Sequence, residues 1–141
     1  MSPSSLCQAL LEKADASRCI GLDIDGTITS APGQFAQLAR SVLESGGRIV
    51  VITSRSIVAL RETTTELARY GVAYSALHFL PSIEDGARLC PHHELDWFNR
   101  YLWCKVAIAD DCGVTDYVDD EQRVVDLFHR YSPQINAWLV T

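Results

Sequence analysis

This chain lacks any apolar run as long as the roughly 18 residues a membrane-crossing helix needs, so no membrane span is expected. It also lacks an excess of positive charge. Twelve Lys and Arg stand against 18 Asp and Glu, giving a formal net charge of −6 and a pI near 5.1. Such a balance disfavours non-specific binding to nucleic acid, although a local basic patch stays open as a route to it. A paired cysteine framework is missing too: Cys7, Cys19, Cys90, Cys104 and Cys112 are odd in number and scattered. That pattern suits reduced thiols and a cytoplasmic location. No basic stretch leads into an apolar core at Met1-Ser2-Pro3-Ser4-Ser5, so no signal peptide is expected. Repeats, low-complexity segments and linkers are also absent.

What is present is enough for one domain over residues 1–141, with 48% hydrophobic and 21% charged residues. A first helix is expected from Ser4 or Ser5 to about Ala16, then a strand from Arg18 to Leu22. Phe35, Leu38, Ala39, Val42 and Leu43 recur at helical spacing before Gly46-Gly47. Arg48 to Ile52 reads as a buried strand, Ile57 to Tyr70 as a helix, and Ala76 to Leu80 as a third strand. Ser82 to His93, with Gly86 and Pro91, reads as a loop. A helix follows from about Glu94 to Asp110, then a short strand at Tyr117-Val118, a helix from Val124 and a last strand from Ile135 to Val140. Strands alternating with helices imply an α/β fold, a Rossmann-like parallel sheet with helices on both faces.

The polar residues that close these strands carry the chemistry. Strand one ends in Asp23 and Asp25, followed by Gly26 and Thr27; strand two ends in Thr53-Ser54-Arg55; the strand near residue 118 ends in Asp119-Asp120. Carboxyl ends of parallel strands share one edge, where open α/β sheets bind ligands. Two buried carboxylates there cost too much repulsion and desolvation to serve the scaffold alone. Up to four carboxylates and a hydroxyl suit Mg²⁺, whose shell water and a substrate phosphate would complete. In that setting Asp23 is a candidate nucleophile and Asp25 a candidate proton donor and water activator. Thr53 would hold a phosphate oxygen, and Lys105, on the helix before the acidic pair, would balance charge on a transferring group.

Asp23-Ile24-Asp25-Gly26-Thr27-Ile28-Thr29, then Thr53, Lys105 and Asp119-Asp120, resemble the four ordered motifs of the haloacid dehalogenase superfamily. The resemblance implies a HAD-like fold and a Mg²⁺-dependent phosphohydrolase working through an aspartyl phosphate. It implies Asp23 as nucleophile, Asp25 as acid/base with its carbonyl on the metal, Thr53 and Lys105 on phosphate, and Asp119 and Asp120 on the metal. Gly26, Thr27, Ser54 and Arg55 join them as substrate-binding candidates. About 28 residues separate Asp25 from Thr53, too few for the cap domain the family usually adds. The sequence from Val118 to Val125 is most similar to the phosphatase domain of polynucleotide kinase. A nucleic-acid 3′-end phosphatase is therefore one alternative, and a catalytically idle interaction protein on the same fold another. The substrate would be a phosphorylated small molecule or macromolecular end, and nothing fixes the oligomeric state.

One assignment stays open. Val106-Ala107-Ile108-Ala109-Asp110-Asp111 also reads as an apolar strand closed by two aspartates. The unbroken helical face from Leu95 to Ala109, and the helix from Val124, favour Asp119-Asp120 as the acidic pair. For Arg55 a solvated surface position is the better expectation. Cys90-Pro91-His92-His93 invites zinc but has no partner pair, so a loop is favoured. Trp97, Trp103 and Trp138 read as packing residues.

Overall fold

A computed structural model describes residues 1–141. Five strands form one parallel sheet: β1 (Cys19–Leu22), β2 (Arg48–Thr53), β3 (Ala76–Phe79), β4 (Asp116–Asp119) and β5 (Asn136–Leu139), in the order β3-β2-β1-β4-β5. Six helices connect and flank them: α1 (Pro3–Leu11), α2 (Pro32–Glu44), α3 (Leu60–Tyr70), α4 (Ile83–Leu89), α5 (Trp97–Cys112) and α6 (Gln122–Tyr131). No helix is long and apolar enough to cross a membrane.

Strand periodicity divides the core into two layers. Ile20, Leu22, Ile49, Val51 and Val118 face Leu6 and Leu10 of α1, Phe35, Leu38 and Val42 of α2, and Leu67 of α3. Cys19, Val50, Ile52 and Tyr117 face Tyr101, Leu102 and Val106 of α5 and Val124 and Phe128 of α6. Helices thus cover both faces, and the central strands are apolar on each side, as parallel sheets require. Gly21 makes one close approach possible: a Cβ there would come within 2.7 Å of the Tyr117 ring.

Several element boundaries differ from the sequence reading. The first helix starts at Pro3, capped by Ser2, whose hydroxyl accepts from the Ser5 amide, and it stops at Leu11. Asp15 and Ser17 then hydrogen-bond each other locally, which draws the chain into a turn. The Ser82–His93 segment is not all loop, because it holds α4. Ser82 accepts from the Asp85 amide to cap that helix, and α4 packs closely on α5. A Cβ on Gly86 would meet Tyr101 at 2.9 Å and the Cys104 sulfur at 3.2 Å. Asp110 and Asp111 lie on α5, not at a strand end, and Asp110 accepts from Ser132 and Gln134. The strand reading of Val106–Asp111 is therefore wrong.

Between Asp25 and Thr53 the chain forms a 3-10 turn (Ile28–Ser30) and α2. Between Thr53 and Lys105 it forms a second such turn (Ile57–Ala59), α3, β3, α4 and half of α5.

Candidate functional site

Register places the chemistry. Leu22 pairs with Val51 on one side and Val118 on the other, so the next residues of the three central strands reach the carboxyl edge together. Asp23 leaves β1 with its amide on the Val118 carbonyl at 3.1 Å, and Asp119 closes β4 beside it. From α5, Lys105 reaches in and donates to Asp23 Oδ1 and to Asp119 Oδ2, both at 2.9 Å. Its ammonium is buried, as are both carboxylates.

Near neighbours add further hydrogen bonds to this cluster. Thr27 donates its hydroxyl to Asp23 Oδ2 at 3.1 Å. Tyr117 donates to Asp119 Oδ2 at 2.8 Å, and the Glu121 amide donates to Asp119 Oδ1 at 3.0 Å. Asp120 is exposed at the mouth. Gly26, at φ +82°, passes so close to it that a Cβ would overlap the Asp120 carboxylate. One oxygen each from Asp23, Asp119 and Asp120 fall within 4.8 Å of one another.

Burial shapes the protonation of the cluster. Desolvation pushes Asp23 up to about 7, reinforced by Asp119 and opposed by Lys105. Burial alone would lower Lys105, but Asp23 and Asp119 outweigh it and hold the ammonium above its ordinary value. Burial and then Asp119 drive the Tyr117 phenol well above its usual range, so it stays a neutral donor.

Asp25 belongs to a different network. Arg55 donates from Nε to Asp25 Oδ2 at 2.9 Å and from Nη2 to Asp25 Oδ1 at 2.8 Å. Arg55 Nη1 donates to Thr63 at 3.2 Å and to Glu66 at 2.9 Å, and Tyr70 donates to the other Glu66 oxygen at 2.7 Å. Hydrogen bonding by Arg55 lowers the Asp25 pKa. Arg55 is thus tied into an internal network rather than solvated, and its contact with Asp25 spans 30 residues of chain, which no local pattern announces.

The carboxyl-edge cleft, about 200 Å³, is lined by Asp23, Asp25, Ser54, Lys105, Asp119 and Asp120. Phe98, Leu102, Glu121, Arg123 and Val124 also line it, and the sequence reading missed them as site residues. Glu121 and Arg123 could have been found, since they follow the acidic pair directly. Phe98, on the first turn of α5, carried no signal. Thr53 is buried, with its hydroxyl accepting from the Arg55 amide at 3.1 Å. Elsewhere, His92 stacks on Tyr131 at 3.9 Å and Cys90 is buried. Trp103 and Trp138 pack against the core, whereas Trp97 is 47% exposed.

No protein-family model matches the chain, and no curated protein matches it. A solved structure of a universal stress protein in complex with cAMP is similar to it, at 14% identity and a TM-score of 0.46, covering 88% of this chain and 96% of that one. The likeness is not to a haloacid dehalogenase. None of these matches is to that superfamily, so its expected membership is withdrawn, and with it go phosphohydrolase activity, the aspartyl-phosphate intermediate, the 3′-end phosphatase and the idle HAD-fold protein. A likeness of this size lends the chain neither a ligand nor an activity. Two guanidinium nitrogens grip the Asp25 carboxylate and favour its ionised form.

Proposed function

We propose that the carboxyl edge of the sheet binds a divalent cation, Mg²⁺, and through it a small phosphorylated ligand. The observation that carries this reading is the convergence of Asp23, Asp119 and Asp120 oxygens within 4.8 Å of one another. With Asp23 ionised, three carboxylates face one ammonium, and two negative charges stay uncompensated. Asp25 is held apart from this group by Arg55, which it shares with Glu66. A dication balances that charge, and hard oxygen donors suit Mg²⁺. Asp23, Asp119 and Asp120 would hold it, and it would supply positive charge for a phosphate in the cleft.

The chain's own residues complete the anion site. Lys105 anchors two of the three carboxylates and brings a fixed positive charge to the floor. Ser54 offers a hydroxyl, and Arg123, half-exposed at the rim, offers a guanidinium. Gly26 lets Asp120 lie against the backbone, and Thr27 fixes the orientation of Asp23.

Titration with Mn²⁺ monitored by electron paramagnetic resonance, with Mg²⁺ as competitor, tests the cation site. One saturable ion per chain is expected, weakened at least tenfold in Asp120→Asn. A panel of phosphorylated metabolites added to the Mg²⁺ form should then yield a binder that is recovered intact. Absence of saturable ion binding overturns the proposal, and release of inorganic phosphate from the ligand overturns its binding character.

A further inference from the structure

A second hollow, about 440 Å³, opens on the same edge and meets the first cleft at Ser54, which lines both. Ile57, Leu80, Pro81, Ile83 and Tyr101 line it, together with Ser56 and Ser82. Ile57 is 59% exposed and Ile83 48%. Neighbouring Val58 and Leu60 are also exposed, so apolar side chains gather here where the acidic cleft ends. Single exposed apolar residues need no explanation, but a group of them around a concavity beside a polar site does. The Tyr101 hydroxyl donates to the Ser54 carbonyl at 3.2 Å, which fixes the ridge between the hollows.

We infer that the ligand of the carboxyl-edge site is a phosphate monoester with an apolar arm, its phosphate in the acidic cleft and its arm in the second hollow. The inference rests on the phosphate-binding reading above and names the ligand class for that site. Continuity at Ser54 argues for one ligand across both hollows: a group leaving the phosphate cleft on that side enters apolar surroundings.

The test is calorimetric titration of the Mg²⁺-loaded full chain with inorganic phosphate, then with ethyl, butyl, hexyl and octyl phosphate. Affinity should rise about fourfold per methylene, the ratio set by burying one CH₂, until the hollow is full. Ile83→Asp and Ile57→Ser lie at exposed positions, so both should fold. They should flatten the chain-length dependence and leave inorganic phosphate binding unchanged. Equal affinity at every length, with inorganic phosphate still bound, overturns the apolar arm and leaves the phosphate site standing. Failure to bind phosphate or any ester overturns both. A wild-type dimer that Ile83→Asp dissociates, seen by sedimentation, assigns the hollow to a second copy of the chain and overturns the inference.

Discussion

Arg55 grips the Asp25 carboxylate through two nitrogens, at 2.8 and 2.9 Å, while its third nitrogen holds Thr63 and Glu66. Arg55 thus ties the loop after β1 to the loop after β2 and to α3. It also favours the ionised form of Asp25. Arg55→Ala should raise the Asp25 pKa toward the ordinary carboxylate range, read by NMR titration of the carboxyl carbon. It should cost about 1–2 kcal/mol in urea unfolding, a modest figure because Asp25 is mostly exposed. An unchanged Asp25 titration would contradict the assigned pairing.

Lys105 is the sole ammonium between two buried carboxylates. Lys105→Met leaves Asp23 and Asp119 facing each other without a counter-charge, so the cation-free protein should lose about 3–5 kcal/mol. Mg²⁺ should restore part of that loss and raise the melting temperature more in the variant than in the wild type. An equal Mg²⁺ effect in both proteins would count against a cation beside Asp23.

The pH dependence of stability follows from the raised pKa of Asp23. Its unfolded value lies near 4, and burial lifts the folded value to about 7. A raised acid favours the protonated folded state, so its contribution is lost as pH rises between those values. Asp23→Asn cannot ionise. In EDTA its stability should gain on the wild type from about pH 4 to pH 7 and hold a constant lead above that. Parallel curves in denaturant melts would refute the shift.

Much of this arrangement was legible because parallel strands have predictable ends. Apolar runs stopping at Asp23, Thr53 and Asp119 announced three central strands, and their order on one edge follows from the alternation of strand and helix. Long-range pairings were not legible. Nothing near Arg55 signals Asp25, thirty residues earlier. The helix α4 was hidden because Pro81, Gly86 and Pro91 are local breakers. Gly86 is needed there for α5 to pack close, so tertiary contact overrode local propensity.

Gly26 is the residue at which backbone and site meet most tightly. Gly26→Ala places a Cβ at φ +82° against the Asp120 carboxylate. The left-handed conformation alone costs about 1–2 kcal/mol, and Asp120 must move. Unfolding in urea should show that loss, and Mn²⁺ titration should show weaker binding. Full Mn²⁺ affinity in Gly26→Ala would place the ion away from Asp120.

The cation and the phosphate are coupled in this site, because three carboxylates repel an anion until a dication screens them. Calorimetric titration of inorganic phosphate into the protein, once in Mg²⁺ and once in EDTA, reads that coupling directly. Saturable phosphate binding in Mg²⁺, weakened at least tenfold or lost in EDTA, is the expected result. Equal binding in both buffers, or none in either, would contradict a cation-bridged phosphate at Asp23, Asp119 and Asp120.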